Sequence, residues 1–467
     1  MQPGSLESGE YSRKCRRPSV VMVLLALLVL AVACTQTSPA ATETPSPTPR
    51  ASTTSTSTPT ATLTPTATAS PTPEVTATHT FVSIPTPTTT PFPTPTATLS
   101  APSGLESAFR DILERVTEIR GLEPLEDIIP RFMTRDQLMD VLIEDLDDQR
   151  DDILKSQRLL KVLDLIPQDA DLLQMLLDLY TEQVLGFYDT ETRELYVIKG
   201  LEEITPLDEV TLAHEYVHAL QQQHFDIHTM SEAAEDDSEA SSALTALIEG
   251  DASVVQVQYM ASFLTSQERR GIFDSSSDSS VFDSSPYAVQ QDLLFPYSAG
   301  QNLVTALLLQ GGWEAVDAAY RSPPVSTEQV LHPAKYLQGE APTSVALPDL
   351  ATVLGAGWIE VYTDVMGEFS LRTYLETRTS REAAQRASTG WGGDRFALLE
   401  GPGGEQALAV LSVWDSERDA QELFDALDDS DSVPSEGFLG LAGDRVLWVL
   451  SPSSALTESV RAQFPGF

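Results

Sequence analysis

Residues 35–103 are almost entirely threonine, proline, serine and alanine. A stretch of that kind holds too little apolar surface to offset the entropy of ordering a chain. Every buried contact must therefore come from residues 104–467, and the tract itself reads as an extended tether. At about 3.1 Å per residue in a polyproline II conformation, its reach approaches ~200 Å.

What precedes the tether reads as a targeting segment. A basic cluster, Arg13 to Arg17, leads into an apolar run from Val20 to Val32. The run is short for a bilayer span and fits the apolar region of a signal peptide. It closes as Leu30-Ala31-Val32-Ala33-Cys34. Small residues before a cysteine resemble the lipobox of bacterial lipoproteins, although Ala31 stands where that motif usually has leucine. The resemblance implies cleavage before Cys34, a lipid on its sulfur, and an extracytoplasmic domain held to the membrane. An ordinary signal peptide or an uncleaved anchor is the plainer alternative. Cys15 and Cys34 are the only cysteines, so any metal in the globular part must be held by histidine or carboxylate.

The chain carries 69 acidic and 28 basic residues, a net charge of -41. The whole of the acidic excess lies beyond residue 103. Such a surface repels a phosphate backbone, which argues against nucleic acid as a partner.

From Leu105 the apolar spacing becomes helical, with Leu105, Phe109, Ile112, Leu113 and Val116 on one face. A second helix is expected from Thr134 to Asp147, and further helix over 149–184 with a break near Pro167. Residues 186–198 change to strand character around a polar turn and read as a hairpin.

Residues 205–223 carry the clearest helix signals. Thr205 suits the N-cap, Pro206 the first turn, and Asp208 the capping-box position. Within that helix stands His214-Glu215-Tyr216-Val217-His218. Histidines four apart lie one turn from each other on the same face. Two imidazoles so placed can share one Zn²⁺. Glu215, beside the first of them, is positioned to take a proton from water at the metal rather than to bind it.

A zinc site that keeps one position open needs a third protein ligand. His224 completes the spacing HExxHxxQxxH, which resembles the metzincin motif except that Gln221 replaces the glycine that turns the chain out of the helix. Glu249 is the other choice. It sits in Ala246-Leu-Ile-Glu-Gly-Asp-Ala-Ser253 amid an apolar helical pattern, where an unpaired carboxylate is costly. The block as a whole resembles bacterial gluzincin-like metallopeptidases, with a His-Glu-Tyr-Val-His-Ala-Leu-Gln helix and a later Glu-Gly-Asp-Ala helix. That resemblance implies His214, His218 and Glu249 as zinc ligands. The thermolysin pattern places an aspartate four residues after the ligand glutamate to orient a histidine. Ser253 stands there in this chain, and the nearest carboxylate is Asp251.

The same family has a Phe-Pro-Tyr-x-x-Gly segment followed by His-Pro-x-Lys-Tyr, matched here by Phe295–Gly300 and His332–Tyr336. The resemblance makes His332, then Tyr297 and Tyr336, candidates for stabilising an oxyanion. In zincins an edge strand beside the metal helix pairs with extended substrate, which would give Leu195 to Val197 that role. A plain structural hairpin is the competing reading.

Beyond about Val345 the pattern reads as a small α+β unit. Residues 359–373 look helical, 396–400 and 408–413 look like strands, 416–427 look helical, and 445–450 look like a buried strand. The expected organisation is a lipoprotein signal peptide (1–33), a stalk (34–103), a mainly helical zincin-like domain with a small sheet (104–345), and a small α+β C-terminal domain (346–467). The expected activity is zinc-dependent peptide hydrolysis on a peptide or protein substrate, with Glu215 as general base and His332 in support. A non-catalytic lipoprotein with a structural zinc site, or an acidic binding module, is the alternative.

Overall fold

The computed structural model describes residues 105–467 apart from 185, 199–203, 276–279 and 431. The signal segment, Cys34 and the threonine- and proline-rich tract lie outside the described residues. The first half runs α1 (Leu105–Arg120), β1 (Pro130–Met133), α2 (Arg135–Asp148), α3 (Arg150–Val162), α4 (Leu172–Gln183), β2 (Gly186–Asp189), β3 (Glu194–Ile198) and α5 (Pro206–Phe225). There follow α6 (Ile227–Ala234), α7 (Ser238–Phe263), α8 (Ser266–Ser275), α9 (Ser280–Ser284), α10 (Tyr287–Arg321), α11 (Thr327–Leu331) and α12 (Pro333–Gln338). α10 is bent at Gly311–Gly312, where Gly312 has φ 66°, a conformation that favours glycine.

The expected α5 is present, with its start fixed by a full capping box between Thr205 and Asp208 and by Pro206. Such a cap contributes about 1 kcal/mol. Its centre is buried on all sides from Val210 to Gln222. α1 lays Phe109, Ile112 and Val116 against Val210, Val217 and Leu220 of α5 and against Leu195 and Val197 of β3. α7 is the central helix of this part. Ala252 and Val255 face the α1–α5 side, and Leu244, Leu247 and Ile248 face Phe295, Leu303 and Val304 of α10. Each such aliphatic side chain contributes roughly 1.5–3 kcal/mol by leaving water.

α7 and α10 cross with almost nothing between them. A Cβ on Gly300 would lie 1.9 Å from the carbonyl oxygen of Ala246, and one on Gly250 would lie 2.3 Å from the backbone of Gly300. Only glycine at both positions permits that approach. The crossing locks the backbone immediately next to Glu249.

The hairpin β2–β3 forms as expected, with Tyr188 opposite Leu195. β3 is nevertheless not an edge. β1 pairs with it in parallel, Phe132 opposite Val197, so the order is β1-β3-β2. Leu195 to Val197 therefore have no free edge to offer an extended peptide, which corrects that expectation. Among the described residues the outer strand on the α5 side is β2.

The second half runs α13 (Leu350–Leu354), β4 (Ile359–Asp364), α14 (Gly367–Glu376), α15 (Arg381–Ser388), β5 (Trp391–Glu400), β6 (Gln406–Trp414), α16 (Glu417–Asp429), β7 (Phe438–Ala442), β8 (Arg445–Leu450) and α17 (Ser454–Arg461). Its five strands form an antiparallel sheet of order β4-β5-β6-β8-β7. Side chains alternate along β5: Phe396 and Leu398 enter one core, Ala397 and Leu399 the other, as the pleat requires. The stretch 359–373, expected as one helix, is a strand and then a helix. Ile359, Val361 and Thr363 give the first piece β-branched side chains at period two, and Gly367, at φ 72°, marks the change.

The fold is thus α+β with two small sheets. Packing also crosses the boundary expected at 345. Leu159, Val162 and Leu163, in and just after α3, join the core of the five-stranded sheet. Thr327 on α11 receives Phe369 N–H from α14. Residues 105–467 belong to one compact unit.

Candidate metal centre

α5 and α7 bury an unusual load of polar groups. His214, His218, Glu249 and Asp251 are wholly inaccessible to solvent, and Glu215 is 1% exposed. Charged and polar groups in that state require partners. The helix geometry supplies them. His214 and His218 sit one turn apart, edge to face, with ring centroids 4.7 Å from each other. Glu249, from α7, reaches across to both. Its Oε2 lies 3.1 Å from His214 Nε2 and 3.6 Å from His218 Nε2.

One ligand atom from each of the three lies within 4.8 Å of the other two. Three polar atoms of this cluster, His214 Nδ1, His218 Nε2 and Glu249 Oε1, make no hydrogen bond among the described residues. Buried atoms with lone pairs and no donor are what a cation would satisfy. Two imidazoles and a carboxylate also form a donor set suited to zinc. The residues therefore fit the metal.

Charge in the cluster is strongly coupled. Burial alone would raise Glu249, but His218 and His214 outweigh it and hold the carboxyl down at about 2. Burial lowers His214. At His218 burial also disfavours the charge, and Glu249 overrides it, lifting the imidazole to about 9. Glu215 rises to about 8, first through burial, with Glu249 adding to the effect and His218 opposing it. Its Oε2 accepts the backbone N–H of Tyr188 at 3.0 Å. That amide points away from β3, so the outer edge of β2 orients the carboxylate. Glu215 stays outside the ligand group, and its raised proton affinity suits a base working near neutral pH.

His218 has a further partner that spacing alone did not reveal. Its Nδ1 lies 2.9 Å from Gln221 Oε1. Gln221 Nε2 donates to the Ile248 carbonyl at 3.0 Å and to Asp251 Oδ2 at 3.2 Å. Asp251 accepts from Arg120 Nε at 2.8 Å and from the Tyr320 hydroxyl at 2.9 Å. Arg120 is fully buried, binds Asp317 through Nη2 at 2.7 Å, and lies over the Trp313 ring at 4.5 Å. Three consecutive residues of α7 thus face three ways, because a helix turns about 100° per residue. Glu249 meets the histidines, Gly250 meets α10, and Asp251 meets Arg120.

The other sequence candidates fall elsewhere. α5 continues to Phe225 and ends at Asp226 in the left-handed region, as the absence of glycine at 221 implies. His224 consequently points outward, where its Nε2 meets the Glu123 carbonyl at 2.7 Å. His332 pairs with the buried Glu368 at 2.8 Å, and its other charged neighbours are Glu328 and Lys335. It follows α11, which packs on Glu239 through Thr327. Glu239 is ten residues from Glu249 on α7, about 15 Å along the helix. The Tyr336 hydroxyl binds the Ser322 carbonyl. Of the three downstream candidates, the structure brings Tyr297 to the cluster. It is buried, with its ring 6.2 Å from that of His214. The acidic trio Glu328, Glu340 and Asp415 also lies close together, but the Lys335 ammonium contacts all three and takes the place a cation would fill.

Known proteins bear on the second half alone. A family model described as Domain of unknown function (DUF8575) matches residues 356–460, which spans β4 to α17 and contains none of the residues of the cluster. No curated protein and no solved structure matches the chain.

Proposed function

We propose that this chain is a zinc-dependent peptidase of gluzincin type, exported and lipid-anchored through Cys34. The observation that carries the reading is the convergence of His214, His218 and Glu249, fully buried and within 4.8 Å in their ligand atoms, with lone pairs on His218 Nε2 and Glu249 Oε1 that no hydrogen bond among the described residues uses. Those three residues would hold the ion. Zinc supplies Lewis-acid chemistry, polarising a carbonyl and making water more acidic. Glu215 is the base. It takes a proton from the attacking water as the carbon–oxygen bond forms, and passes it to the amide nitrogen as the carbon–nitrogen bond breaks. Tyr188 N–H keeps the carboxylate aimed during both transfers. The export and anchoring part of the proposal is supported by the basic cluster, the apolar run and Ala31-Val32-Ala33-Cys34.

The complete burial of all four residues favours a second reading, in which the metal is structural. A peptide-library digest separates the two. Under the first reading the purified protein cleaves peptides, a chelator abolishes cleavage, and added zinc restores it. Cleavage that persists after the metal is stripped contradicts a zinc mechanism. Protein that retains zinc and cleaves nothing identifies the structural alternative.

A further inference from the structure

Gln221 stands three residues after His218, on the same face of α5, and its side chain is fully buried. Which way its amide points is decided by its surroundings. Nε2 faces two acceptors, the Ile248 carbonyl and Asp251 Oδ2. Reversed, the amide would set its oxygen against both. Asp251 is itself committed as an acceptor, since Arg120 donates to both of its oxygens and Tyr320 to one. Oε1 is therefore the end that meets His218 Nδ1. An oxygen at that place accepts only an N–H, so Nδ1 is protonated, and in the neutral form that binds a metal it is Nδ1 that keeps the proton. Nε2, across the ring, is left with its lone pair toward Glu249.

We infer that Gln221 is a positioning residue that fixes the tautomer and ring plane of His218 for metal binding, anchored in turn by Asp251 and Arg120. The inference rests on the zinc reading above. It gives the glutamine where metzincins have glycine a task of its own. It also replaces the orienting carboxylate that is missing at Ser253 with a longer relay, from Arg120 through Asp251 and Gln221.

The test combines zinc affinity, measured by competition with a chelator, and long-range proton–nitrogen NMR of the zinc-loaded protein with isotope-labelled histidine. The wild type is expected to hold zinc on His218 Nε2 with the Nδ1 proton intact. Gln221→Met, which keeps length but offers no acceptor oxygen, is expected to lose about 10–100-fold in affinity. Gln221→Glu restores an oxygen opposite Nδ1 and, with its other oxygen protonated, a donor to Asp251, and is expected to recover part of that loss. A purely packing role predicts the reverse order, because methionine preserves shape without burying a charge. Zinc on Nδ1, or a Gln221→Met affinity within twofold of wild type, overturns the inference while leaving the zinc reading intact. A wild type that takes up no zinc overturns both. Should Gln221→Met fail to fold, the wild-type spectrum still decides, since loss of the Nδ1 proton on loading would contradict the arrangement.

Discussion

Glu215→Gln is expected to lower kcat/KM for peptide cleavage by about 10²–10⁴-fold while leaving zinc content unchanged. The geometry explains both halves of that result. Glu215 does not belong to the group of atoms that can share an ion, so its replacement removes no ligand. The glutamine oxygen can still accept Tyr188 N–H, so the side chain keeps its place in the buried pocket. What disappears is the basic oxygen that takes and returns a proton. Stability should hold or rise at neutral pH. Burial lifts Glu215 to about 8, so the folded state binds this proton more tightly than the unfolded state does. Its contribution is fully present below the ordinary carboxylate range and is lost as pH rises toward 8, a dependence that glutamine removes. A variant with full activity would eliminate the general-base role.

Arg120→Ala carries the largest expected cost to the fold, about 3–5 kcal/mol. Both Arg120 and Asp251 are wholly buried and share a two-oxygen contact at 2.8 and 3.1 Å. Truncation leaves Asp251 in the interior without its counter-charge, which costs more than the pair contributes when intact. It also opens space beneath Trp313 and Phe225, whose rings Arg120 covers. Because Asp251 anchors Gln221, the same change should weaken zinc binding through His218. Urea unfolding with zinc present and absent measures both effects. A loss under about 1 kcal/mol would mean that the pair is not the anchor described. The arginine is the last residue of α1, so α1 is a structural part of the centre rather than a detachable covering.

The motif helix was legible because several independent signals coincide there: Thr205, Pro206 and Asp208 at its start, and histidines four apart within it. Glu249 was legible as a carboxylate in an apolar stripe, which demands a partner wherever the helix lands. Gln221 could be read only as a missing glycine, since its function depends on Asp251 from a helix it meets only in three dimensions. Arg120 gave no local sign of burial. It ends an amphipathic helix where a basic residue is ordinary, and its partners lie 131 and 197 residues away. The role of β3 was misread because β1 is four residues long, starts with proline, and pairs in parallel from far away in sequence. The segment 359–373 was misread because Ile359–Asp364 takes its conformation from β5, its neighbour in the sheet. His332 was singled out by the resemblance of His332–Tyr336 to a family segment, and its carboxylate partner is Glu368 on α14.

Metal content decides which residue is the third ligand. Zinc should be measured in the purified wild type and in Glu249→Ala and His224→Ala, each dialysed against the same weak chelator. The wild type and His224→Ala should retain stoichiometric zinc, because His224 faces outward onto the Glu123 carbonyl, and Glu249→Ala should lose it. Zinc retained by Glu249→Ala and lost from His224→Ala would make His224, not Glu249, the third ligand.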